Sequence, residues 1–166
     1  APLGSAKLGG RVDVDGPRIR GLLVEQDGAA VDHLREAVAR AVWEAGVKVA
    51  AAYPGTPSTE MLEVISTYPD LYAEWSVNEK VSLEVAIGAA YAGSRAFCCM
   101  KHVGMNVASD ALMTLTLTGV IGGLVIAIAD DVGLSSSQNE QDSRYWGRFA
   151  HVPVLEPADS QEAYAM

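Results

Sequence analysis

From residue 31 onward, short apolar runs alternate with longer segments in which apolar residues recur every three or four positions. The first such segment, VDHLREAVARAVWEAG at 31–46, sets Leu34, Ala37, Val38, Ala41 and Val42 at i, i+3, i+4, i+7 and i+8. That spacing predicts an amphipathic helix closed by Gly46. The run VKVAAAY then reads as a strand, PSTEMLEVISTY as a helix, LYAEWSV as a strand, and EKVSLEVAIGAAYAG as a helix. RAFCCMK, NVASDALMTLTLTG, GLVIAIAD, QNEQDSRYWGRFA and VPVLEP continue the strand and helix alternation, and SQEAYAM opens a last helix. The strands are apolar without period-two alternation, which is the pattern of strands covered on both faces. The predicted class is therefore α/β, a largely parallel sheet with helices on both faces.

Residues 1–30 stand apart from this rhythm. The opening APLGS reads as a cleavage remnant, and LGGRVDVDGPRIRGLLVEQDGAA at 8–30 mixes charged and apolar positions around Asp15-Gly16, as an irregular or hairpin-like lead-in would. The domain is thus expected over 31–166. Its last helix reads as cut within two turns, so the chain is expected to be one domain of something longer.

Composition narrows the function. The chain has 166 residues, 49% of them hydrophobic, and a formal charge of −9 without a Lys/Arg cluster. Nucleic acid and membrane surfaces both require a positive footprint, so neither is an expected partner. The longest apolar run, GVIGGLVIAIA at 119–129, falls well short of the ~20 residues a membrane span needs. Cys98 and Cys99 are sequence neighbours that would point to opposite faces of a strand, and no Cys or His spacing matches a zinc or iron–sulfur site. A reducing cytoplasm follows as the expected compartment.

In an open parallel sheet, ligands bind outside the carboxyl ends of the strands. The loops expected there are YPGTPSTE, SVNEKV, MKHVGMNVASD and ADDVGLSSSQNEQD. In the first, Thr56 before Pro57 fits an N-cap with proline at the first helical position, while Gly55 permits close backbone approach. Free amides at that helix end would suit a carboxylate or phosphate. In the second, Asn78 can cap and Glu79 sits in the first turn of a helix rich in small apolar residues, as suits burial between layers or subunits. A carboxylate at the mouth of such a helix is shielded from water, whereas Glu84 lies roughly 140° away around it. The third loop offers Lys101, His102 and Asn106. In the fourth, Ser137-x-x-Glu140 matches a capping box and Asp130-Asp131 reads as a turn former or a metal ligand pair.

Taken together and in order, YPGTPSTE, NEKVSLEVAIGAAYAG, MKHVGMNVASD, TGVIGGLVIAIADD, SSSQNEQDSRY and VPVLEPADSQEAY resemble the pyrimidine-binding domain of the 2-oxoacid:ferredoxin oxidoreductases. The likeness runs from about Leu34 to Met166 and is nearest to the α subunit of the indolepyruvate enzymes. It implies the thiamine diphosphate-binding fold and oxidative decarboxylation of an arylpyruvate to an acyl-CoA. Glu79 stands where the family's glutamate hydrogen-bonds the aminopyrimidine ring and activates the coenzyme. Gly55 and Thr56 resemble the element that meets the 2-oxoacid carboxylate, and Lys101, His102, Asn106, Gln138 and Asn139 resemble further cofactor-site lining. Ser135 stands where relatives carry histidine. The chain has no Gly-Asp-Gly segment for Mg²⁺ and diphosphate and no cluster cysteines. Those groups are expected from a second domain or subunit, with CoA as co-substrate, ferredoxin as electron acceptor and a homo- or hetero-oligomeric assembly. A thiamine enzyme for another 2-oxoacid, a non-catalytic assembly domain and a flavodoxin-like nucleotide binder are the alternatives.

Overall fold

A computed structural model describes residues 19–26 and 31–166 of the chain. Six strands form one sheet: β1 (Ile19–Gln26), β2 (Val49–Ala52), β3 (Tyr72–Trp75), β4 (Ala96–Lys101), β5 (Leu124–Asp130) and β6 (Val154–Leu155). Their spatial order is β3-β2-β4-β5-β1-β6, and every pairing is parallel. The helices are α1 (Val31–Glu44), α2 (Thr59–Ile65), α3 (Glu79–Tyr91), α4 (His102–Thr118), α5 (Arg144–Ala150) and α6 (Ser160–Ala165).

The two faces of the sheet are covered by different helices. Leu34, Val38 and Val42 of α1, with Met61, Leu62 and Ile65 of α2 and Ala163 of α6, pack on Ala50, Ala52, Phe97, Cys99 and Ala127. On the other face, α3, α4 and α5 cover Cys98, Met100, Leu124, Ile126 and Ile128. Cys98 and Cys99 do point to opposite faces, as strand geometry requires. Residues such as Leu112, Leu115 and Ile126 are fully buried, each contributing about 1.5–3 kcal/mol of apolar burial. Gly46, at φ +75°, ends α1 in the left-handed conformation that glycine adopts without a steric penalty.

Several boundaries differ from the sequence reading. Residues 19–26, read as part of an irregular lead-in, form a strand between β5 and β6, so the sheet begins ahead of residue 31. APLGS and the Asp15-Gly16 turn lie outside the described residues. The helix after β4 starts at His102 rather than Asn106, and α5 starts at Arg144 rather than Gln138. Among the described residues, no helix is long and apolar enough to cross a membrane.

The strand order places the site. The chain leaves β2 for β3 over one face, through α2, and leaves β4 for β5 over the other, through α4. Neighbouring β2 and β4 therefore send their loops in opposite directions, which opens a crevice at their carboxyl ends. Since β3, β2, β4 and β5 are consecutive in the sheet, all four polar loops meet at one edge.

Candidate functional site

The turn after β2 is built to hold itself. The Gly55 amide donates to Thr59 Oγ1 at 2.9 Å, and the Gly55 carbonyl accepts from the Ser58 amide and hydroxyl, both at 2.8 Å. Thr56 precedes a cis peptide to Pro57, and α2 begins only at Thr59, after Ser58. The expected N-cap at Thr56 is thus replaced by a self-bonded turn, in which the Gly55 amide is committed to Thr59. What Gly55 approaches closely is the Lys101 stem, at 3.3 Å from where a Gly55 Cβ would stand. Register explains this contact: Ala52 pairs with Cys99, so β4 runs two residues past the end of β2 and raises Lys101 beside the turn. The Thr56 side chain is exposed, and its hydroxyl has no hydrogen-bond partner among the described residues.

Lys101, 7% exposed, crosses to the loop after β5. Its Nζ donates to the Ser136 carbonyl at 2.7 Å and hydroxyl at 3.3 Å and lies 3.7 Å from Asp131 Oδ2. Asp131 is the organiser of that loop. Its carboxylate accepts from the Ser135 amide at 3.0 Å, the Ser136 amide at 2.7 Å, the Ser136 hydroxyl at 3.1 Å and the Ser137 hydroxyl at 2.5 Å. The Ser137 bond, followed by those from Ser136 and Ser135, outweighs the desolvation of the group and holds its carboxyl well below the usual carboxylate range. Ser137, expected to cap a helix, instead turns back to Asp131. Ser135 contributes its amide to this ring and leaves its side chain exposed. Asp130 accepts from the amide and hydroxyl of Ser143. Burial pushes the Asp130 carboxyl up, against the lowering effect of those two bonds. Both aspartates are turn formers here, and no group of three or more metal-ligating side chains gathers among the described residues.

His102 is fully buried, and both of its ring nitrogens are occupied by the chain. Nδ1 accepts from the Asp131 amide at 3.3 Å, and Nε2 faces the Asn139 carbonyl at 3.0 Å. An amide only donates and a carbonyl only accepts, so the ring proton sits on Nε2. His102 therefore ties the start of α4 to the loop, with both ring nitrogens engaged by the backbone. Asn139 is held through its carbonyl, while its Oδ1 accepts from Gln141 at 2.8 Å. Gln138 is exposed beside it. Asn106 lies on the second turn of α4 with its side chain exposed, apart from the Lys101, Asp131 and serine cluster.

Glu79 differs from all of these. Asn78 caps α3 by accepting from the Val81 amide at 2.9 Å, as its place in the sequence predicts, and Glu79 follows as the first helical residue. Its side chain is half-buried rather than shielded from water. Among the described residues its carboxylate has no hydrogen-bond or ion-pair partner. It lies against Gly104 in the first turn of α4, so that two helix amino ends converge on one acid. A glycine inside a helix costs about 1 kcal/mol relative to alanine, and here it leaves the space that the Glu79 Cγ and carboxyl group occupy. Glu84 is exposed and 3.9 Å from Lys80, outside this arrangement.

Sequence reasoning missed Gly104 and Ser136, and it placed Asp131 in a turn without the serine and lysine partners that make it the organiser. The available signal was small: a glycine within an otherwise helical segment, and a serine run placed four residues beyond a buried acid.

Comparison with known proteins adds three findings. The family described as pyruvate flavodoxin/ferredoxin oxidoreductase, thiamine diphosphate-binding, matches residues 40–166. The indolepyruvate oxidoreductase subunit IorA of Archaeoglobus fulgidus is 51% identical over 135 residues, which cover 77% of this chain and 22% of that protein. Its namesakes in Methanothermobacter thermautotrophicus and Pyrococcus abyssi are 55% and 49% identical over 130 and 134 residues, covering 76% and 79% of this chain and 21% of each relative. The chain thus spans about a fifth of the length of these curated relatives. Among solved structures, the 2-oxoglutarate:ferredoxin oxidoreductase from Magnetococcus marinus, with 2-oxoglutarate, coenzyme A and succinyl-CoA bound, matches with a TM-score of 0.56 at 17% identity, over 78% of this chain and 29% of that one. At that identity the likeness is one of fold.

Proposed function

Because this chain belongs to the thiamine diphosphate-binding family of pyruvate flavodoxin/ferredoxin oxidoreductases, we propose that it forms the aminopyrimidine side of the coenzyme site in an indolepyruvate-type 2-oxoacid:ferredoxin oxidoreductase. The observation that carries this reading is Glu79: an open carboxylate at the mouth of α3, laid on a glycine at the ligand edge of the sheet. That arrangement fits the coenzyme, since an acid without a hydrogen-bond partner among the described residues can take one from a protonatable ring nitrogen. When bound, thiamine diphosphate supplies a nucleophilic ring carbon and an electron sink for decarboxylation of the 2-oxoacid.

The chain's residues then divide by what they do. Glu79 holds a proton between its carboxylate and the ring nitrogen, a bond that strengthens once the coenzyme and the remainder of the enzyme cover this half-buried side chain. Thr56, with its exposed hydroxyl, donates to the carboxylate of the oxoacid. Gly55 and Lys101 set the height of that turn, and His102 and Asn139 fix the opposite wall. Gln138 and Asn106 present exposed amides to whatever closes the site. The groups that bind the diphosphate and Mg²⁺, the iron–sulfur clusters and the contacts to CoA and ferredoxin come from the rest of the subunit or its partner, in a cytoplasmic assembly.

The test uses the complete enzyme under anaerobic conditions, with CoA-dependent viologen reduction by indolepyruvate as the readout. Glu79→Gln is expected to lower turnover by about 10²–10⁴-fold with the coenzyme still bound. Equal activity in both proteins removes Glu79 from the chemistry. Absence of activity with every 2-oxoacid tried overturns the enzymatic reading in favour of an assembly domain.

A further inference from the structure

We propose that Gly104 is a positioning residue for Glu79, and that its missing side chain sets where the acid meets the coenzyme; this rests on the role given to Glu79 above. A Cβ at residue 104 would stand 2.5 Å from Glu79 Cγ, 2.7 Å from Oε1 and 2.9 Å from Cδ. Carbon atoms in contact ordinarily sit about 3.5–4.0 Å apart, so a methyl group there demands a displacement on the order of 1 Å. What must move is decided by stiffness. Residue 104 is buried in the first turn of a 17-residue helix packed on the sheet, whereas the atoms in the way, from Cγ outward, belong to one half-buried side chain that can move by rotating about its Cα–Cβ and Cβ–Cγ bonds. Alanine at 104 is therefore accommodated by pushing Glu79 aside, and the fold gives way little.

The consequence separates stability from chemistry. Alanine is the better helix former, so Gly104→Ala is expected to leave the thermal midpoint unchanged or raised. The proton held by Glu79, however, depends on a hydrogen bond whose strength falls steeply with distance and angle. The same glycine would be worthless to a Glu79 that carried no side chain beyond Cβ. That conditional is the signature of a residue acting through another, and it distinguishes positioning from mere packing.

The experiment measures, in the complete enzyme loaded with thiamine diphosphate and Mg²⁺, the rate at which the coenzyme's C2 proton exchanges with deuterium, together with the thermal midpoint. Four proteins are compared: wild type, Gly104→Ala, Glu79→Ala and the double variant, with Glu79→Gln as a control. Gly104→Ala is expected to slow exchange by about 100-fold in the wild-type background and to change nothing further when Glu79 is already alanine. If Gly104→Ala fails to assemble but the double variant assembles, the collision with Glu79 is established in its most severe form. Failure of both to assemble, or an equal slowing in both backgrounds, overturns the proposal, because the glycine then serves something other than Glu79. Normal exchange in Gly104→Ala alongside slowed exchange in Glu79→Gln also overturns it while leaving the function intact. Normal exchange in Glu79→Gln sinks the functional reading itself.

Discussion

Asp131 and Glu79 stand at the same edge of the same sheet, and the chain treats them in opposite ways. Asp131 is 1% exposed, accepts hydrogen bonds from three consecutive serines and lies beside the Lys101 ammonium. Glu79 is half-buried, and among the described residues nothing donates to it. A carboxylate whose lone pairs are filled by its own chain does its work in the folded state. One that reaches the ligand edge with its lone pairs open has that capacity left for another molecule. The difference teaches that burial alone does not mark which acid is open to a ligand, because the more buried of the two is the one whose lone pairs the fold already fills.

Exchanging each acid for its amide sharpens the contrast. Glu79→Gln should cost about 10²–10⁴-fold in turnover of the complete enzyme while leaving chemical unfolding within about 0.5 kcal/mol of wild type. Asp131→Asn should do the reverse, losing about 2–4 kcal/mol in urea unfolding because Lys101 and the serine donors are left with a poorer acceptor. A large stability loss from Glu79→Gln, or none from Asp131→Asn, would break the comparison.

The pH dependence gives it a second edge. The folded-state value of Asp131 lies below its unfolded one, so its contribution is complete at neutral pH and is lost as pH falls through the ordinary aspartate range towards the lower folded value. The stability gap between wild type and Asp131→Asn should therefore narrow on acidification below about pH 4. Asp130 has the opposite sign: raised by burial, its contribution is present at low pH and is lost as pH rises through its folded value. Asp130→Asn should accordingly widen its gap to wild type towards low pH. The smallest effect expected is from Ser137→Ala, about 1 kcal/mol, with the Ser135 and Ser136 donors still in place.

The same two acids show what was legible in the sequence. Glu79 could be read locally: Asn78 caps, the acid follows, and an apolar helix continues, all within one turn of chain. The inner strands β4 and β5 were equally plain, since burial on both faces leaves an unbroken apolar run. Asp131 was not legible as an organiser, because its partners include Lys101 on another strand, and because Ser137 matched a capping box closely enough to place a helix start six residues early. Strand β1 was hidden in a similar way. Its charged and apolar residues follow no clean period, and what makes it a strand is pairing with β5 and β6, more than a hundred residues away in the chain. His102 was read as a loop residue for want of a signal that a buried imidazole would open a helix between two backbone partners. Local chemistry was visible, and chemistry closed by distant parts of the chain was not.

Lys101 bears on how this edge could be re-engineered. Its stem lies under Gly55, its amine holds Ser136 and Asp131, and its backbone leads directly into the turn of α4 that carries Gly104. One side chain thus spans the loops after β2, β4 and β5, so these loops are not interchangeable modules. Grafting a YPGTPS turn from a relative to alter substrate choice would import a surface shaped for that relative's residue 101 and whatever it grips. The transferable unit is the set of three loops with the lysine that threads them.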